Sequence, residues 1–144
     1  MTYSAVDLAK YVVGYCNKKN QPITNLKLQK MLYFLWIKYF KESGQVLYTD
    51  DICAWQLGPV VPDVYYEFCS YAGIPIMTNP KTTINEKSDT TLNSAIDAYL
   101  PFTARKLVDL THKKGKPWDL TYRNGEGNRE VIPFELIIKL ECDS

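Results

Sequence analysis

The chain carries one histidine, four cysteines in no paired spacing, almost no net charge and no long apolar run. Each scarcity removes a class of protein. With only His112 available, any histidine-dependent dyad or triad must use it, and a zinc site would have to add scattered cysteines. Cys16, Cys53, Cys69 and Cys142 form no Cys-x-x-Cys pair, and no His-x-x-x-His or His-Glu-x-x-His spacing exists. Four reduced thiols in a cytoplasmic protein are therefore expected, with no metal and no cofactor. The 17 Lys and Arg balance 16 Asp and Glu to leave +1. A surface that tracks phosphates needs net or clustered positive charge, so nucleic acid is not an expected partner. The opening residues put Asp7 and Lys10 where an export signal needs an apolar stretch. The most apolar segment, Met31 to Ile37, is bracketed by Lys30 and Lys38. That is far short of a membrane span, and no membrane partner is expected.

What remains is a balanced soluble composition, 46% hydrophobic and 23% charged, with 11 tyrosines that can bury a ring and keep a hydroxyl wet. The length suits one domain over 1–144. Ser4 and Asp7 start a helix whose apolar repeat, Ala5, Leu8, Ala9, Val12 and Val13, predicts α-structure to about Cys16. After the Pro22 break, Thr24 or Asn25 caps a longer helix over about 25–42, with Gly44 beyond its end. Leu28, Met31, Leu32, Leu35, Trp36 and Tyr39 give it one broad apolar face, and Leu26, Tyr33, Ile37 and Phe40 extend that face around the far side. A helix apolar around most of its girth is central.

Val46-Leu47-Tyr48 and Ile52-Cys53-Ala54-Trp55, separated by Thr49-Asp50-Asp51, read as a small hairpin. Pro62 opens a third helix with Val64, Tyr65, Phe68 and Ala72 inward. Asp89 caps a fourth over Thr90 to Leu100, with Leu92, Ala95, Ile96 and Tyr99 inward. Thr103 caps a fifth that runs to Gly115. Asn124 to Asn128 reads as a flexible turn, and Pro133 opens a terminal helix through Leu140. The expected fold class is mainly α (α+β): a compact helical domain around the central helix, with a small β hairpin.

Candidate chemistry is sparse. Asp63 and Glu67 lie one turn apart but face solvent, which does not split two carboxyl pKa values. Gly125-x-Gly127 lacks the third glycine and the preceding strand of a phosphate loop. Lys113, Lys114 and Lys116 complement a helix C-terminus. Lys27, Lys30, Lys38 and Lys41 fall on one stripe of the central helix with Phe34 among them. That stripe is either the wet edge of a buried helix or a contact surface for an acidic partner anchored on Phe34.

Three segments together carry a resemblance. They are Ile23-Thr24-Asn25-Leu26-Lys27-Leu28-Gln29-Lys30-Met31-Leu32-Tyr33-Phe34, then Ala54 to Phe68 with Trp55-Gln56-Leu57-Gly58-Pro59-Val60 inside it, then Leu107-x-x-Leu110-Thr111-His112 followed by Pro117-Trp118. In this order they resemble the Panacea domain of SocA-like antitoxins, also labelled phage-associated proteins. The resemblance implies a non-enzymatic protein with no catalytic residues, whose partner is a cognate protein toxin neutralised by direct contact. A protease is the alternative second partner, for a member that acts as a proteolytic adaptor. A DNA-binding autoregulator of its own operon is a further alternative. Among the shared residues, Trp55 is expected to be buried where the hairpin meets the central helix, and His112 to pack with Trp118. Alternatively, Trp55, Tyr65, Tyr66 and His112 line a concave recognition site.

Overall fold

The computed structural model describes residues 2–143. Helix α1 spans Ala5–Lys18, capped by Ser4, whose Oγ accepts from the Asp7 amide. Helix α2 spans Asn25–Ser43, capped by Thr24 through the Lys27 amide and closed by Gly44 in the left-handed region. Strands β1 (Cys53–Trp55) and β2 (Gly58–Val60) pair antiparallel with Trp55 opposite Gly58. Helix α3 is short, Pro62–Glu67, with a 3-10 turn at Cys69–Tyr71. Helices α4 (Thr90–Tyr99), α5 (Ala104–Thr111) and α6 (Pro117–Tyr122) follow. The described chain ends in α7 (Phe134–Ile137) with a wider turn over Ile138–Cys142.

The protein is mainly α-helical with α2 as its axle. Leu28, Met31, Leu32, Leu35, Trp36 and Tyr39 are all buried, and the helix packs against α1, α3, α4, α5, β2 and the C-terminal turn. Buried side chains from α1 to α7 join one contiguous core. Polar ties lock its periphery. The Asp89 carboxylate caps α4 through the Leu92 amide and accepts from both Tyr3 (2.6 Å) and Tyr39 (2.8 Å) hydroxyls. Asp7 accepts from Thr82 and Thr83, pinning the long 73–88 segment to α1.

Several boundaries differ from the sequence expectation, each for a local reason. The hairpin forms one turn later than expected, about Gln56-Leu57 instead of Thr49-Asp50-Asp51, pairing 53–55 with 58–60. Leu47 and Tyr48 are instead held against α2. The Trp36 indole donates to the Tyr48 carbonyl (2.9 Å), and the Tyr48 hydroxyl donates to the Leu32 carbonyl (2.7 Å). The outer side of β1 is taken by the 129–132 segment, through Ala54 N to Glu130 O (2.8 Å) and Ile132 N to Ile52 O (2.7 Å). That pairing also fixes the 124–128 turn, expected to be flexible: Gly127 is buried and donates to the Tyr122 carbonyl (2.8 Å). Helix α5 stops at Thr111 rather than Gly115, because Pro117 starts a separate helix. Ala72 is exposed with positive φ, so α3 buries Val64 and Phe68 but not Ala72.

Candidate partner-binding site

The lysine stripe is not an open surface. Helix α4 lies along it. Lys27 reaches the C-terminal carbonyl of α4, donating to Leu100 O (2.7 Å), which satisfies a helix-end acceptor. Phe34 is half-buried and stacks on Tyr99 with centroids 5.4 Å apart. Lys38 pairs with Glu42 one turn on (2.9 Å), and of the four lysines Lys41 alone is exposed. Lys30 departs furthest from expectation: it is 0% exposed, its Nζ donating to the Pro59 carbonyl at 2.7 Å. Helical periodicity puts these lysines on one stripe but places no neighbours, and here the neighbours are α4, α5 and β2. The stripe is thus divided among an ion pair, two carbonyl contacts and an aromatic stack, with no continuous cationic face.

Lys30 instead belongs to a second arrangement. The first two turns of α2 present Asn25, Gln29 and Lys30 toward the hairpin. The Gln29 amide donates to Asn25 Oδ1 (3.0 Å), while its Oε1 accepts from the Val61 amide (2.9 Å). Asn25 in turn donates to the Tyr65 carbonyl (3.2 Å). These bonds clamp the start of α3 onto α2, with the Gln29 amide used on both its donor and its acceptor side.

Gly58 is what lets β2 approach. Its φ is +115°, and a Cβ there would stand 2.7 Å from Thr111 Oγ1 and 3.1 Å from Lys30 Cε. Only glycine fits both the backbone and the space. Pro59 then offers its carbonyl to Lys30. On the other side, the Trp118 indole donates to the Trp55 carbonyl (2.7 Å), and His112 lies flat on Trp118 with centroids 3.9 Å apart. The His112–Trp118 packing expected from sequence is present. The three segments that carry the family resemblance therefore meet at one place: Gln29 and Lys30, Trp55 to Pro59, and Thr111, His112 and Trp118.

A cavity of about 350 Å³ opens above this junction, lined by residues that include Leu26, Lys30, Trp55, Leu57, Val60 and Tyr65. Trp55 is half-buried, not buried as expected, because one face of its indole forms the wall. Tyr65 meets it edge-on at 4.9 Å, Tyr66 at 6.2 Å, and the Arg129 guanidinium lies 4.4 Å from its ring centre. Leu57 at the hairpin tip and Tyr66 beside it are 54% and 56% exposed. Of the four residues placed in a concave site by sequence, Trp55 and Tyr65 line the cavity and Tyr66 packs at its rim. His112 stands behind, on Trp118. Leu26 and Leu57 escaped sequence reasoning, since an exposed leucine is recognisable only once its neighbours are known.

Electrostatically the junction is lean. Burial pushes the Lys30 amine down to about 7. Burial also lowers the His112 pKa, aided by the nearby Lys30 charge and opposed by its hydrogen bond to the Leu57 backbone and by Asp109 and Asp119. His112 Nε2 is buried without a hydrogen-bond partner. Among the described residues, no group of three or more His, Cys, Asp or Glu side chains could hold a metal ion, and no helix is long and apolar enough to cross a membrane.

A small helical protein with a glycine-proline hairpin clamped onto its central helix, under an aromatic-walled recess, defines the class. The family described as "Antitoxin SocA-like, Panacea domain" matches residues 28–119, which span this junction. The chain belongs to that family. It is also 31% identical over 137 residues to Antitoxin SocA of Caulobacter vibrioides (strain NA1000 / CB15N), covering 85% of this chain and 71% of that protein. No solved structure matches it significantly.

Proposed function

We propose that this protein is a cytoplasmic antitoxin, acting as a single Panacea domain that neutralises a cognate protein toxin by stoichiometric contact and not by catalysis. Family membership and the likeness to a protein named as an antitoxin support the role. The observation that carries the contact surface is the rim of the cavity. Leu57 and Tyr66 are each more than half exposed, beside a recess walled by Trp55 and Tyr65. Aromatic and aliphatic anchors around a concave, mostly apolar site are what protein interfaces concentrate their energy in. The toxin seats there, and Lys27, Phe34, Lys38 and Lys41 of the α2 stripe lie outside the contact.

The test is to co-express the chain with the product of the neighbouring reading frame and to titrate that product's toxicity. A one-to-one endpoint, lost in Leu57→Asp, is expected. Protection at far below one equivalent would overturn the stoichiometric reading. A toxin half-life that shortens only when this chain and a protease are both present would assign the adaptor role instead.

A further inference from the structure

The floor of the cavity holds a cation with no counter-ion. Lys30 has no exposed surface, and among the described residues no Asp or Glu pairs with it; its one hydrogen bond is to the Pro59 carbonyl. An ammonium group has three donors, so two stay unused. The neighbouring amides are neutral and tied to one another and to the backbone, Gln29 to Asn25 and Val61, Asn25 to Tyr65, each NH2 using one of its two donors in these bonds. What sets Lys30 apart on the floor is a basic amine with no ion-pair partner among the described residues. Holding a lysine there costs stability, since desolvating a charge is expensive unless it is paired. The walls above it are mostly apolar or aromatic, with Leu26, Trp55, Leu57, Val60 and Tyr65, and Gln56 is the polar residue among them. The ligand that complements this recess has an apolar body and one negative oxygen group at its tip.

We propose that the cavity receives an acidic side chain of the bound protein, an Asp or Glu next to an apolar residue, whose carboxylate pairs with Lys30 while the apolar neighbour packs on Trp55 and Leu57. This rests on the reading that a protein partner seats at this face. The pairing requires the amine, which has no exposed surface, to turn from the Pro59 carbonyl toward the recess. Such a pair is desolvated on all sides and fixes which residue of the partner can dock. The groups facing Lys30 are few: Gly58 and the Pro59 carbonyl from β2, Thr111 and, through its charge, His112 from α5. His112 is uncharged above neutrality, its pKa being lowered, so between pH 7 and 9 Lys30 is the titrating member of this group.

The test uses the full chain and three probes: acetyl-Phe-Glu-amide, its neutral analogue acetyl-Phe-Gln-amide, and AMP. Binding is followed by NMR on the Trp55 indole N–H and the Lys30 Cε. The Glu peptide is expected to shift both signals saturably and to bind about tenfold or more tighter than the Gln peptide at pH 7, a difference of about 1.4 kcal/mol or more. Raising the pH to 9 should erase that advantage, as should Lys30→Met, which keeps the bulk of the side chain. Equal binding of the Glu and Gln peptides, no binding of the Glu peptide, or a Glu preference that survives in Lys30→Met would each overturn the proposal. AMP shifting the same signals at lower concentration than the Glu peptide would overturn it in favour of a nucleotide site. None of these results bears on whether the chain protects cells from a toxin, so the two readings fail separately.

Discussion

The two halves of α2 are built on opposite principles. From Met31 to Tyr39 the helix is held by packing: Leu32, Leu35 and Trp36 are shut in by the core, and Trp36 is sandwiched between Phe40 at 5.5 Å and Phe134 at 5.0 Å. From Asn25 to Lys30 it is held by polar groups buried in fixed pairs, with an uncompensated cation among them. The Met31–Tyr39 stretch stabilises the fold. The Asn25–Lys30 stretch sets the position of a hairpin and a recess, at a cost to stability. Buried polar networks specify one arrangement because a misregistered partner leaves donors unsatisfied.

That contrast can be broken most severely on the packed side. Trp36→Ala should remove about 3–5 kcal/mol from the free energy of unfolding, measured by urea denaturation, since the indole fills a site that cannot collapse and also bonds Tyr48 O. The next largest effect belongs to the hairpin. Gly58→Ala places a methyl carbon against Thr111 and Lys30 at a φ of +115°, and should cost about 2–3 kcal/mol by the same measurement. A loss below about 1 kcal/mol would mean that β2 is free to retreat from α2.

Lys30→Met separates the halves by pH. The folded amine sits near 7 and the unfolded one near 10.5, so between those values the unfolded chain binds the extra proton and wild-type stability rises with pH. The penalty is complete below about pH 7 and is relieved toward pH 10.5. Methionine has no such penalty. The advantage of the variant over wild type should therefore shrink by about 3 kcal/mol from pH 6.5 to pH 9.5. Trp36→Ala should show no comparable dependence. A pH-independent difference for Lys30→Met would place the amine in water.

Sequence periodicity reached the packed half fully and the polar half only in part. Leu28 to Tyr39 could be placed because burial of apolar residues follows the helical repeat, and the caps at Ser4, Thr24, Asp89 and Thr103 because a hydroxyl or carboxylate three residues before a free amide has one obvious use. Lys30 could not, since its burial depends on a glycine 28 positions away that admits a carbonyl. The register of the hairpin was lost for a similar reason: Val46-Leu47-Tyr48 has strand composition, but Tyr48 is claimed by Leu32 and Trp36 of α2. The segments that carry the family resemblance do contain the residues that meet at the junction, Gln29, Lys30, Trp55, Gly58, Thr111, His112 and Trp118. The resemblance did not say that they touch.

The smallest change in stability should come at the rim, and there the comparison turns on function. Tyr66→Ala removes a ring that is 56% exposed, meets Tyr65 edge-on and Trp55 at a tilt, and leaves no cavity in the core. Its unfolding free energy should stay within about 0.5 kcal/mol of wild type. An exposed aromatic that contributes so little to the fold is available to contribute to an interface, where truncating such an anchor costs about 2 kcal/mol or more. Protection by Tyr66→Ala in the co-expression titration should accordingly drop while its denaturation curve overlays that of the parent. Unchanged protection would remove Tyr66 from the contact and shift the anchoring to Leu57 and the recess behind it. A destabilised protein would instead place Tyr66 with Trp36, as a residue whose work is done inside the molecule.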